Sequence, residues 1–190
     1  PWFGTACCPS NMARLLPQVQ GMTYAYDEND LFVTFYAECA TKVNLKGNEV
    51  AISQSTDYPN DGAIKVSLNP DRPTKFRLLL RVPTWAQNQF VPGELYRYAD
   101  TSGEAVSISV NGEKVSAPPE KGFIAIDREW KKGDQVELNL PMPVRFSECH
   151  EAVEANQNRI ALTRGPFVLC AEGIDNGGVT QRFFFDQLPN

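Results

Sequence analysis

Hydrophobic and polar residues alternate along most of the chain with a period of two, which is typical of half-buried β-strands. In residues 135–140, for example, Val136, Leu138 and Leu140 alternate with Glu137 and Asn139. Runs of similar character, bounded by turn residues, cover 31–36, 42–45, 49–54, 63–68, 75–82, 106–110, 123–126, 160–162 and 167–171. Many short strands at such spacing favour an antiparallel β-sandwich.

The first part of the chain has a different period, because its apolar residues recur at intervals of three and four, as on one face of a helix. These residues are Met12, Leu15, Leu16, Val19 and Met22. Pro17 removes a backbone donor and should kink the helix or keep it short, and Gly21 is a natural stop. We therefore expect one short helix that packs its apolar face against another part of the protein.

Two features interrupt the strand pattern. Residues 84–100 form an irregular insertion that carries Trp85, Phe90, Tyr96 and Tyr98. These rings either stack on a sugar or hold the long loop down by packing, and the residues themselves leave both interpretations open. Asn111-Gly112, between Val110 and Val115, is the strongest hairpin signal in the chain.

Composition and charge narrow the function classes. The chain has 190 residues, of which 42% are hydrophobic and 22% charged, which is ordinary for a globular protein. A formal net charge of −5 argues against a nucleic-acid partner, since such proteins displace counterions with a basic surface. No apolar run reaches the roughly 18–20 residues that cross a bilayer, so we expect no membrane partner.

The ends of the sequence indicate a piece of a longer protein. The chain opens at Pro1 instead of a methionine, and it ends directly after an aromatic run at Phe183-Phe184-Phe185 that resembles an unfinished strand. We therefore expect truncation at both ends.

The adjacent thiols of Cys7 and Cys8 are the one local motif with chemical promise. They lie just before the predicted helix, whose positive end stabilises a thiolate, and thiolates are preferred zinc ligands. By chemistry alone, a metal or nucleophile role and an inert pair of cysteines both stay open. Cys39 and Cys170 lie in apolar surroundings and are predicted to be buried.

The remaining candidate residues give weaker evidence of a functional site. Cys149 and His150, the single histidine, form either a small site with a nearby carboxylate or a solvated polar turn, which we favour. Glycosidases use two positioned carboxyl groups, and acidic residues cluster in two places. The clusters are Asp27, Glu28 and Asp30, and Glu148, Glu151 and Glu154. Their spacing selects no pair, so we interpret them as solvated surface charge.

Several motifs, in order along nearly the whole chain, resemble those of glycoside hydrolase family 127, the β-L-arabinofuranosidases. The segment 5–16, Thr-Ala-Cys-Cys-Pro-Ser-Asn-Met-Ala-Arg-Leu-Leu, resembles the signature around the family's cysteine pair, and it is followed by Tyr24-Ala25-Tyr26-Asp27. The other matching segments are 56–62, 80–86, 110–113, 130–134, 140–142 and 161–166. Each match is weak alone, and together they identify the family.

The resemblance implies a mainly β fold in which an antiparallel β-sandwich follows a catalytic (α/α)6 barrel. Residues 1–26 would then be the helical end of that barrel, 27–147 the β-sandwich domain, and 148–190 the start of further, incomplete β-structure.

The resemblance also implies a retaining hydrolase that depends on Zn²⁺ held by three cysteines and one glutamate. By position, Cys7 would be the nucleophile and a metal ligand, and Cys8 a second ligand. The other ligands and the acid/base glutamate are expected upstream of Pro1, so this fragment alone should be inactive and bind zinc poorly. The implied partner is a plant-type glycan carrying β-L-arabinofuranose or a similar sugar. The resemblance is also compatible with an oligomeric protein.

The main alternative is a non-catalytic module. In that case the chain is a carbohydrate-binding or purely structural β-sandwich, and the aromatic insertion, instead of the cysteine pair, meets the sugar.

Overall fold

A computed structural model of the protein describes residues 7–100, 104–180 and 183–184. Helix α1 (Cys7–Val19) and a 3-10 turn (Gln20–Met22) come first. The strands follow as β1 (Tyr24–Tyr26), β2 (Asp30–Val33), β3 (Cys39–Leu45), β4 (Asn48–Thr56), β5 (Ala63–Pro70), β6 (Thr74–Arg81), β7 (Tyr96–Tyr98), β8 (Ser107–Val110), β9 (Glu113–Lys114), β10 (Phe123–Trp130), β11 (Asp134–Asn139), β12 (Val144–Cys149), β13 (Ile160–Arg164) and β14 (Phe167–Leu169). The predicted mainly β class is therefore confirmed.

The strands form three sheets. The first has the order β1-β2-β6-β10, and the second, with six strands, has the order β3-β4-β5-β11-β8-β9. The third has the order β14-β13-β12-β7, so it joins the end of the chain to a strand of the insertion at residues 84–100. The insertion is thus less irregular than the sequence indicated.

One continuous apolar core lies between the first and second sheets, and it is built from the inward half of each alternating strand. In β11, Val136 and Leu138 are buried while Gln135 and Glu137 are exposed. Trp130 is the largest fully buried side chain, and its indole nitrogen donates to the Phe76 carbonyl at 3.0 Å.

One strand pair departs from the expected antiparallel arrangement, because β2 and β6 run parallel. Between them the chain leaves the first sheet, builds β3, β4 and β5 of the second, and returns, as a parallel connection requires. The pair is held at its start by Asp30, whose carboxylate accepts from the Arg77 Nε at 2.6 Å and also from its Nη2.

Strand β12 does not follow the pattern from which most of the strands were predicted. Its buried positions are Arg145 and Ser147, while Val144 is 53% exposed. These two polar residues of the strand therefore face inward and the apolar Val144 faces outward, the reverse of β11.

The predicted hairpin at Asn111-Gly112 is confirmed, since both residues have positive φ values, 53° and 83°, and join β8 to β9. The backbone also comes close to itself at Gly62, whose carbonyl accepts from the Leu140 amide at 2.9 Å. A Cβ at Gly62 would lie 1.8 Å from the Leu140 carbonyl oxygen, so this position requires glycine.

The predicted helix exists and reaches Val19, two residues beyond Pro17. None of its residues is buried against the described part of the chain, and its apolar positions Met12, Leu15 and Leu16 are 45–64% exposed. Among the described residues, no helix has the length and apolar character needed to span a bilayer.

Candidate active site

Cys7 and Cys8 lie at the start of α1 and both are exposed. They were expected just before the helix, whereas they are its first two described residues. Their Sγ atoms are 3.6 Å apart and are not joined by a disulfide. Ser10, one turn on, donates its hydroxyl to the Cys7 carbonyl at 3.1 Å. The two thiols therefore face the same side of the first turn and are open to a ligand.

The separation of these thiols can be compared with the needs of a zinc site. Two thiolates on one tetrahedral zinc, with Zn–S bonds of about 2.3 Å, lie about 3.8 Å apart. The Cys7–Cys8 pair fits that spacing and supplies half of a four-ligand set. The described residues contain no group of three or more His, Cys, Asp or Glu side chains that could complete such a set.

The other cysteines have different surroundings. Cys170 is exposed, so the prediction that it is buried is wrong. Cys39 is half-buried, and its sulfur lies 3.3 Å from the Tyr24 hydroxyl and 3.6 Å from the Gln54 Nε2. Burial, with the Cys39 contact, raises the pKa of Tyr24 well above its ordinary value. This cluster joins β1, β3 and β4 and is structural.

Cys149 is the half-buried last residue of β12, and His150, the next residue, is exposed at the solvated turn that we favoured. The His150 Nδ1 accepts from the Ala152 amide at 3.1 Å, and the Cys149 thiol points at the Val153 carbonyl at 3.7 Å. Both contacts close the turn after β12, and Glu148 is used in an exposed ion pair with Arg97 at 2.6 Å.

The aromatic residues of the insertion pack on each other. The Phe90 ring meets Tyr96 and Tyr98 edge-on at centroid distances of 6.3 and 5.8 Å. The Arg145 guanidinium lies 3.5 Å from the Tyr98 ring centroid. Burial raises the pKa of Tyr98. These contacts support the packing interpretation of the insertion over sugar stacking.

Arg145 is a buried charge that sequence reasoning missed. Its Nε donates to the Asp100 carboxylate at 2.7 Å, its Nη1 to the Asn88 side chain at 2.8 Å, and its Nη2 to the Asp100 carbonyl at 3.1 Å. The sequence offered no clear signal for it, because β12 itself was not predicted as a strand. Arg145 ties the third sheet to the insertion and is no part of the thiol site.

The acidic cluster at residues 27–30 divides into two roles. The Asp27 carboxylate accepts from the backbone amides of Asn29 and Asp30 at 2.7 and 2.8 Å, which holds its pKa below the usual value. Asp30 pairs with Arg77. Asp27 therefore stabilises the β1–β2 turn, and Asp30 links β2 to β6. The three carboxylates form no pair for glycoside hydrolysis.

Comparison with known proteins gives two consecutive family matches. Residues 30–142 match the model described as β-L-arabinofuranosidase, GH127 middle domain. Residues 144–189 match the glycoside hydrolase family 127 C-terminal domain. The first match alone covers more than half of the chain.

Individual relatives agree with the family matches. The chain is 29% identical over 180 residues to a non-reducing end β-L-arabinofuranosidase of Bifidobacterium longum subsp. longum. It matches the structure of a GH127 β-arabinofuranosidase with a TM-score of 0.86 and 38% identity, covering 92% of this chain and 27% of that one. For the GH127 β-L-arabinofuranosidase from Geobacillus stearothermophilus T6, the TM-score is 0.80 and the identity 36%, covering 93% of this chain and 25% of that one.

The coverage is uneven. The alignment with the Bifidobacterium protein takes in 93% of this chain and 25% of that protein, so the chain spans about a quarter of its relative's length. From the two family matches and these relatives, the chain belongs to glycoside hydrolase family 127.

Proposed function

We propose that this chain is part of a retaining, zinc-thiolate glycoside hydrolase that releases β-L-arabinofuranose or a similar sugar from plant-type glycans. The observation that carries the proposal is the pair of exposed, unbridged thiols at the first turn of α1, 3.6 Å apart. The names of its relatives as β-L-arabinofuranosidases support the choice of sugar.

In this proposal Cys7 is both nucleophile and metal ligand, and Cys8 is a second ligand. The other ligands belong to the part of the protein outside this chain. Bound Zn²⁺ would keep the sulfurs as thiolates at neutral pH and hold them in place.

The reaction then has two displacements at one carbon. The Cys7 sulfur attacks the anomeric carbon, a C–S bond forms, and the C–O bond to the leaving group breaks while a carboxyl group outside this chain protonates that oxygen. Water next attacks the same carbon, gives its proton to that carboxylate and expels the thiolate. Two inversions leave the anomeric configuration unchanged.

The exposure of the thiols on α1 fits this role. A nucleophile must reach an incoming anomeric carbon, and the half-buried sulfur of Cys39, held between Tyr24 and Gln54, is less accessible than the exposed thiols of α1.

The test uses the full-length protein with Cys7→Ser, Cys8→Ser and, as a matched control, Cys170→Ser, which removes another exposed free thiol. We expect Cys7→Ser to lower kcat on an aryl β-L-arabinofuranoside by about 10⁴-fold or more. Cys7→Ser and Cys8→Ser should both leave substoichiometric zinc by elemental analysis, while Cys170→Ser changes neither quantity. In the wild type, ¹H NMR of the first-formed sugar should show the β anomer.

Full activity of Cys7→Ser would exclude this cysteine as the nucleophile. Unchanged zinc content in both helix variants would exclude the metal role. An α anomer as the first product would exclude retention.

A further inference from the structure

A depression of about 650 Å³ opens at one end of the β-sandwich, where the β1–β2 turn of the first sheet meets the β3–β4 turn of the second. Its lining residues are Tyr26, Asp27, Glu28, Asn44, Lys46 and Gly47. The volume lies within the roughly 300–1,000 Å³ of small-ligand sites. The cysteine pair does not contribute to it.

The aromatic part of this depression is Tyr26, the last residue of β1, which is 52% exposed. Its ring takes no part in the aromatic contacts of the described residues. The face of such a ring carries partial negative charge, which attracts the C–H bonds on the flat side of a sugar.

The polar part is built from two exposed side chains, Asn44 and Glu28. In the described part of the chain, the Asn44 side-chain amide and the Glu28 carboxylate make no hydrogen bond or ion pair. Asparagine offers two donors and an acceptor, and an ionised glutamate offers only acceptors, so together they match hydroxyl groups that both donate and accept. An aromatic platform beside such groups suits a saccharide.

Two neighbours hold the rim in place. The Asp27 carboxylate is fixed by the amides of Asn29 and Asp30. The Lys46 ammonium donates to the Lys75 carbonyl at 3.0 Å, and Lys46 and Gly47 form the tight β3–β4 turn with φ values of 54° and 70°. The rim therefore exists before a ligand binds, which lowers the entropy cost of binding.

Charge selects among saccharides. Asp27 and Glu28 bring two negative charges and Lys46 one positive charge, so the depression repels acidic polysaccharides and accepts neutral ones. We propose that this depression binds a neutral saccharide unit, with Tyr26 stacked on the sugar ring and Asn44 and Glu28 bonded to its hydroxyls. The choice of an arabinose oligosaccharide as probe, but not the site, rests on the proposed function.

The test follows Tyr26 itself in the full-length protein labelled with 3-fluorotyrosine. The ¹⁹F resonance that disappears in Tyr26→Phe identifies the residue. We expect this resonance to shift saturably on titration with soluble neutral L-arabino-oligosaccharide, and not with an acidic oligogalacturonide. Asn44→Ala and Glu28→Gln should each raise the Kd read from this signal by about tenfold.

Phe35→Ala is the matched control, because Phe35 is 51% exposed and lies outside the depression, and it should leave this Kd unchanged. A Tyr26 resonance that does not respond, or a Kd that Asn44→Ala and Glu28→Gln leave unchanged, overturns the site. An equal response to the oligogalacturonide overturns the selection of neutral sugars.

Activity on an aryl β-L-arabinofuranoside is measured in parallel. Activity without a Tyr26 response refutes the saccharide site and leaves the proposed hydrolase standing. A Tyr26 response without activity supports the saccharide site and refutes the proposed hydrolase.

Discussion

At Gly62, just before β5, the backbone comes so close to the backbone of Leu140, just after β11, that no side chain fits. A Cβ there would lie 1.8 Å from the Leu140 carbonyl oxygen, and the obstacle is backbone, which cannot rotate away as a side chain can. The Gly62–Leu140 hydrogen bond at 2.9 Å links the start of β5 to the chain just after β11.

We expect Gly62→Ala to lower the free energy of unfolding by about 2–3 kcal/mol, because the backbone must separate to admit the methyl group. Urea denaturation of the protein measures this. Gly21→Ala is the control, since a methyl group at Gly21 would meet no atom within 4 Å, and it should change stability by less than about 0.5 kcal/mol. Equal effects of the two substitutions would show that crowding at Gly62 is unimportant.

The two candidate sites differ in how far the sequence could predict them. The Cys7–Cys8 pair is visible as a motif, because the two residues are neighbours in the chain. The depression at Tyr26 is not, because Asn44 lies in another strand, and only the meeting of two turns brings them to one place. The 3.6 Å separation of the thiols likewise depends on the helical turn.

At the scale of a single element, β12 shows why a strand can escape detection. Sequence patterns assume that inward positions are apolar, and in β11, where Val136 and Leu138 point inward, this assumption gave the strand correctly. In β12 the inward positions are Arg145 and Ser147. The arginine is possible there only because Asp100 and Asn88 satisfy it.

Ser147 in the same strand is 2% exposed, and its hydroxyl has no hydrogen-bond partner within the residues that the structure describes. We expect Ser147→Ala to raise the free energy of unfolding by about 1 kcal/mol, because an unpaired buried hydroxyl is removed. Thermal or urea unfolding measures the change.

Thr163→Val provides the contrast to Ser147→Ala, because the equally buried Thr163 hydroxyl has a partner, the Arg145 carbonyl at 3.4 Å. This variant should lose about 1 kcal/mol. A loss of stability in Ser147→Ala would mean that its hydroxyl has a partner, such as a bound water.

At the scale of the whole molecule, the two regions matched by separate family models are linked by the β7–β12 strand pairing and by a buried ion pair. Arg145 lies in the C-terminal region, and Asp100 and Asn88 lie in the middle region. The side chains of Arg145 and Asp100 are only 7% and 10% exposed.

We expect Arg145→Ala to lower the free energy of unfolding by about 3–5 kcal/mol, because it leaves the Asp100 charge buried without a partner. Arg97→Ala is the matched control, since Arg97 in β7 also forms an ion pair with β12, through Glu148, but its side chain is 78% exposed. That substitution should cost less than about 1 kcal/mol. Similar losses from both would show that burial adds nothing to the Arg145 pair.

The sequence could predict the fold class but not the connection between its sheets. Local alternation revealed most strands of the first two sheets, because each strand buries one face. The parallel pairing of β2 with β6 joins residues 47 positions apart, Asp30 and Arg77, and such a contact leaves no local pattern. In the third sheet, β13 and β14 were predicted from the sequence, but β7 and β12 were not, and the pairing of a strand of the insertion with later strands leaves no local pattern.

The position of β11 in the six-stranded sheet has a consequence for the chain as it is synthesised. β11 lies between β5 and β8, so both earlier strands are synthesised before their shared neighbour. Until residues 134–139 emerge, the nascent chain exposes two open strand edges in the middle of its larger sheet. A polypeptide released before that point keeps these edges unpaired, and such edges are where chains aggregate.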